Sequence, residues 1–270
     1  DIIQDADGNE RRCGSLRLPA GFVSSIPPYG SEPNQPLWED DDIRSVVTAS
    51  SRMPARELFG PRWILDQGQA GSCNPTALAA GASRARWRRG VRDGLLFSGA
   101  YGYAWINGGR DQGSMIEDDI ALAQERGFCP LDLVKPTMIY RRMIPPGADA
   151  EAAKHKGLNV YKFVGDWETR MRALRTALAA GFPCVVAVMA GSGFSRVDAN
   201  GVAGVDRGSG NHACLVQDLR WDGSRWLYDL VNSWSVRYGV DGCAWVTDEH
   251  FKATLGPHQF VAIGSFDELE

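Results

Sequence analysis

Apolar positions along the chain change their spacing twice. Over residues 1–50 they keep neither a 3.6-residue nor a 2-residue period, and "SIPPYGSEPNQPLWEDDD" is dominated by Pro, Gly and acidic residues. This predicts an extended N-terminal arm, residues 1–52. Helix signals lead from residue 53. Pro75 is tolerated only in a helix's first turn, so the helix through "TALAAGASRARW" is predicted to begin at Cys73 or Asn74. In "SMIEDDIALAQERG", Ser114 and Glu117 read as a capping box, Ile116, Ile120 and Ala123 as the buried face, and Gly127 as the stop. In "DWETRMRALRTALAAG", Asp166 caps, Trp167, Met171, Leu174 and Leu178 form the stripe, and Gly181 terminates.

Strand signals follow at 183–190, 212–221, 225–234 and 242–247, the middle pair joined by a turn at Asp222-Gly223. A mostly helical half (53–165) thus precedes a mostly antiparallel β half (166–264), an α+β pattern with a cleft between its halves as the favoured place for a site. With 270 residues, 44% of them hydrophobic, the chain can bury a sizeable core.

The net charge of −4 gives no electrostatic case for nucleic acid or an anionic membrane as partner. The cluster Arg84, Arg86, Arg88 and Arg89 is expected to be a solvated helix end, where cations suit the dipole. No apolar run approaches the roughly 18 residues of a membrane helix, and the N-terminus lacks a secretory pattern. A chain opening at Asp1 without Met fits a processed or excised product. "DADGNE" starts like a calcium loop, but Glu10 and Leu16 stand where Gly and a bidentate Glu are needed, so it reads as a turn.

The six cysteines, at 13, 73, 129, 184, 214 and 243, form no Cys-x-x-Cys pair, which argues against zinc. Cys184, Cys214 and Cys243 lie in strand-like runs, where cysteine is usually buried and inert. Reduced thiols are expected, and with them a reducing cytoplasm or a phage particle rather than an oxidising compartment.

Cys73 differs from the rest. At a helix N-terminus it meets unpaired N–H groups and the positive dipole end, which favour thiolate. A nucleophile also needs a base, and of the four histidines only His212 opens a strand in the β half; His155, His250 and His258 read as surface or satisfied core residues. Folding the hairpin at Asp222-Gly223 sets His212 opposite position 233, beside Asn232, whose carbonyl can orient the imidazole.

Three stretches, "DQGQAGSC", "GNHACLV" and "VNSWSVRYGVDGC", resemble papain-like cysteine peptidases, with His and Asn about 140 and 160 residues after the cysteine in the family's order. The resemblance covers residues 53–264. It implies a papain-like fold, with a helical left half and an antiparallel β-barrel-like right half, and cysteine endopeptidase activity on protein or peptide substrates. Cys73 would be the nucleophile, His212 the base, Asn232 its orienter, Gln67 the oxyanion donor and Trp234 a shield over the Asn–His pair. Gly113 and Ser114 would pair with an extended substrate, and no metal or organic cofactor is implied. Departures from the family pattern at Ala70, Asn74, Ser114, Ser235 and Tyr238 indicate a divergent, disulfide-poor bacterial or phage type. The same triad could serve an acyl transferase or isopeptidase, or persist in a non-catalytic binding or structural module of a larger assembly. Phe22, Tyr29 and Trp38 are apolar anchors expected to dock the arm around the back of the body as a brace, not across the cleft.

Overall fold

The computed structural model describes residues 1–207, 210–254 and 260–266. The arm opens with a hairpin, β1 (Ile2–Gln4) and β2 (Glu10–Arg12), whose turn is closed by the Asp5 carboxylate accepting from the N–H groups of Asp7 and Asn9. It continues to helix α1 (Asp40–Thr48), which packs Ile43 into the core beside a later helix and strand. The arm is thus more regular than its sequence pattern predicts. Tertiary contacts supply the order that local periodicity does not.

The helical half holds α2 (Ala55–Leu58), α3 (Cys73–Arg88), α4 (Gly99–Ile106), α5 (Ile116–Arg126) and α6 (Ala148–Ala152). Helix α3 starts at Cys73, as Pro75 requires, and is buried along nearly its whole length. Its small alanine side chains let α4, α5 and the sheet approach closely. Because this central helix stays inside the body to its last turns, Arg84 is buried rather than solvated. Its guanidinium donates to Gln217 Oε1 at 2.9 Å and to the Ala80 carbonyl at 3.1 Å, and burial lowers its pKa to about 10. Helix α5 buries Ile116, Ile120 and Ala123 and ends at Gly127, with φ +84°, but no capping box forms. Ser114 lies one residue too early and its Oγ donates to Asp119 at 2.6 Å. Helix α7 (Trp167–Ala179) is capped by Asp166, which accepts from the Thr169 N–H at 2.9 Å.

The remaining elements are β3 (Leu158–Lys162), β4 (Cys184–Ala190), β5 (Gly210–Trp221), β6 (Trp226–Val231), β7 (Cys243–Val246), α8 (Asp248–Thr254) and β8 (Val261–Phe266). All six strands join one antiparallel sheet in the order β3-β8-β4-β5-β6-β7. The sheet is open, which corrects the barrel-like expectation. Both edges are already occupied: Pro27 and Tyr29 of the arm hydrogen-bond to Lys162 on β3, and Gly201 and Ala203 to Trp245 on β7. Its two faces bury separate clusters, one with α7, Val186 and Val188, the other with α3, α5 and Val185. Burial on both faces explains why β4 to β6 read as continuous apolar runs.

The β5–β6 hairpin turns over four residues, with the Asp222 N–H bonded to the Arg225 carbonyl, instead of a two-residue loop. Its register runs from Trp221↔Trp226 to Leu215↔Val231 and slips at a bulge between Val216 and Asp218. Continued, it sets His212 opposite Trp234, one position beyond the expected partner.

Candidate active site

Cys73 opens α3 with no exposed surface, and His212 lies on β5, also fully buried. His212 Nε2 is 2.8 Å from Asn232 Oδ1, which also accepts from the Ser233 N–H at 2.8 Å. Since that oxygen can only accept, Nε2 carries the proton and Nδ1 keeps its lone pair. Nδ1 is buried without a hydrogen-bond partner. The N–H of Ala213, next to His212, acts on the Cys73 sulfur, which sets the His212 end of β5 against the first turn of α3. Trp234 stacks on His212 with ring centroids 4.8 Å apart, and Phe194 meets Trp234 edge-on at 5.7 Å. These rings close the Asn–His pair off from solvent.

Gln67 is clamped to the strand-end loop. Its N–H donates to the Ser233 carbonyl at 2.9 Å, and its Oε1 accepts from Ser233 Oγ. Its Nε2 donates to Ala70 O at 2.6 Å and to Arg12 O at 3.2 Å. Gly113 and Ser114 form the opposite wall, tied to α3 by Asn74, whose Nδ2 donates to Ser114 O at 2.7 Å. Asp111 braces this wall, with Oδ1 accepting from the Gly71 N–H and the Tyr103 hydroxyl at 2.7 Å each; the same hydroxyl accepts from Gly113 N–H at 2.9 Å. The fold therefore brings Cys73, His212, Asn232, Gln67 and Trp234 together, with Gly113 and Ser114 facing them.

The arm occupies the space between the walls. Ser114 N–H donates to Gly14 O and Leu16 N–H to Ser114 O, each at 2.9 Å, while Asn211 Nδ2 donates to Ser15 O at 2.8 Å. A Cβ on Gly14 would lie 1.9 Å from Gly71 O, and one on Gly113, at φ +90°, would lie 2.2 Å from Gly14 O. Only glycines allow so close an approach. The expected route around the back is thus overturned for residues 11–16. An extended backbone carries unpaired N–H and C=O groups, and the groove edge satisfies them. The rest of the arm does brace the body: Tyr29 is buried edge-on to Phe163 at 5.5 Å, and Trp38 N–H donates to Thr176 Oγ1 at 3.2 Å. Phe22 stays 44% exposed, so it is not the buried anchor expected of it. Sequence reasoning missed Arg11, Arg12 and Gly14. Their one signal was "RRCGS", a basic pair and a glycine within the stretch that precedes the arm's first proline, Pro19.

The filled cleft silences the thiol and the imidazole. Burial raises the Cys73 pKa to about 11 despite the opposing N–H groups of Ala213, Gly14 and Asn74. Burial also lowers His212 to about 4, helped by the Arg11 guanidinium and opposed by Asn232. Both groups are neutral at pH 7. All six cysteines are unpaired and buried. His155 and His250 are buried, the latter accepting at Nδ1 from Thr247 N–H at 3.1 Å, and His258 lies outside the described residues. Among the described residues no cluster of side chains could hold a metal ion, and no helix is long and apolar enough to cross a membrane.

No protein-family model and no curated protein sequence matches the chain. Solved structures do. Xylellain, a cysteine protease from Xylella fastidiosa, is 23% identical with a TM-score of 0.64, and the match covers 99% of this chain and 98% of that one. ProCathepsin B S9 from Trypanosoma congolense is 16% identical with a TM-score of 0.64, over 95% and 87% of the two chains. A recombinant stem bromelain precursor is 18% identical with a TM-score of 0.60, over 96% and 78%. With the geometry above, these likenesses establish that the chain has the papain-like cysteine protease fold.

Proposed function

We propose that the chain is a cysteine endopeptidase held latent by its own N-terminal arm. One observation carries this reading: a helix-start cysteine, an asparagine-held imidazole and a clamped glutamine amide converge on a groove that already accepts an extended peptide backbone. When the arm leaves, water reaches Cys73, and its pKa falls from about 11 toward the ordinary thiol range. His212, freed from Arg11, accepts the thiol proton at Nδ1, the nitrogen without a partner. The Cys73 thiolate then attacks the scissile carbonyl carbon. Gln67 Nε2 and the Cys73 N–H hold the oxyanion, and the imidazolium protonates the leaving amine as the thioester forms. Water, deprotonated by His212, hydrolyses the thioester and releases the acid. Two of the similar structures are named as a pro-form and a precursor, which supports reading the arm as a latency segment.

Gly14→Ala tests both parts in the full chain, because its Cβ meets the Gly71 backbone and unseats the arm. Hydrolysis of a denatured protein substrate should be weak for the unmodified chain, strong for Gly14→Ala, and absent when Cys73→Ala is added. Turnover that survives loss of Cys73 would refute the mechanism. A Gly14→Ala chain that labels rapidly at Cys73 with a thiol-reactive peptide, yet cleaves nothing, would remove the peptidase reading.

A further inference from the structure

We infer that the groove selects peptides carrying two adjacent basic side chains, read by the carboxylates of Asp66 and Asp111; the inference rests on the peptidase reading for its substrate class. Arg11 and Arg12 of the arm occupy the two recognition points. Arg11 Nη1 is 2.8 Å from Asp66 Oδ1 and 3.1 Å from Gly68 O, and its Nη2 is 3.1 Å from Trp234 O. These three acceptors belong to the groove wall, not to the arm. Within the arm, Arg11 gains one further partner, Asp5, at 2.9 Å from Nε. Once the arm withdraws, a carboxylate and two backbone carbonyls still converge on one spot. A side chain carrying several donors and a positive charge satisfies all three, which a neutral side chain cannot do.

Asp111 supplies the second point, with its Oδ2 3.2 Å from Arg12 Nε in an ion pair. Its other oxygen is fixed by the Gly71 N–H and the Tyr103 hydroxyl, so the carboxylate is held in place before any peptide arrives. Lys135 on the same rim is paired with Asp132 at 3.1 Å. The Arg12 carbonyl accepts from Gln67 Nε2, so the basic pair sits beside the amide that holds the reacting carbonyl in the proposed mechanism.

Asparagine is the informative replacement. Asp66 Oδ1 also accepts the Gly68 N–H at 2.9 Å, and Asp111 Oδ1 holds Gly71 and Tyr103, roles that an asparagine oxygen can keep while the charge is lost. The full chain carrying Gly14→Ala is titrated with fluorescent ten-residue peptides that have Arg-Arg, Gln-Gln or Leu-Leu at their centre, and cleavage is followed on the same samples. The Arg-Arg peptide should bind about tenfold more tightly than the others, and Asp66→Asn with Asp111→Asn should erase the difference. Equal binding of all three, or a preference that survives loss of both carboxylates, overturns the inference. Selective binding without cleavage of any peptide keeps it and removes the peptidase reading, while cleavage without basic preference does the reverse. Should Gly14→Ala fail to fold, the chain with its own glycine is used. There Asp66→Asn with Asp111→Asn should raise the rate of Cys73 alkylation about tenfold as the arm loses its hold, and an unchanged rate overturns the inference.

Discussion

Ser235 sits in the left-handed region at φ +72°, directly after the tryptophan that covers His212. A side chain there costs about 1 kcal/mol, and the Ser235 Oγ contact with Arg237 N–H, at 3.3 Å, recovers little of it. Ser235→Gly should therefore raise the unfolding free energy by about 1 kcal/mol in a denaturant titration. A loss of stability would mean that the hydroxyl contact outweighs the strain. At this scale the sequence was most readable for the placement of Cys73 at a helix start and of His212 beside Asn232, because a proline position and a hairpin register fix them. Arg11 was not readable. Its partners Asp66 and Trp234 lie 55 and 223 positions away, and nothing local distinguishes it from a solvated arginine.

Among the elements, α7 is the most local in origin: Asp166 caps it, Met171, Leu174 and Leu178 of its stripe are buried with Trp167 partly so, and Gly181 follows at φ +92°. Asp166→Ala should lower the denaturation midpoint with unchanged denaturant sensitivity, because the Thr169 N–H loses its acceptor. No change would mean that packing alone holds the first turn. Where tertiary pairing competes with local signals, the sequence misleads. Ser114 has the capping-box pattern, yet its backbone belongs to the groove edge and its hydroxyl to Asp119. Strands β3 and β8 escaped notice because β3 pairs with a segment about a hundred residues downstream, and a five-residue run carries too little periodicity to announce that.

For the whole molecule, the buried imidazole makes stability pH-dependent. His212 has a pKa of about 4 in the folded chain against an ordinary 6.5, so between those values the unfolded chain binds more protons. Stability therefore rises with pH through that window and is lost as pH falls toward 4. Between pH 6.5 and 4.5 the full chain should lose about 2 kcal/mol more than His212→Gln, by denaturant titration at each pH. Equal losses would show that His212 is not held neutral. From its sequence alone the chain determined its α+β class, the start of α3 and the α7 cap, because helix starts, caps and amphipathic stripes depend on neighbours within a few positions. Only the tertiary structure decided that the sheet stays open, that Arg84 is buried and that residues 11–16 lie in the cleft. Those outcomes turn on which backbone edges and carboxylates remain unsatisfied once the body has assembled, and the partners that satisfy them are distant along the chain.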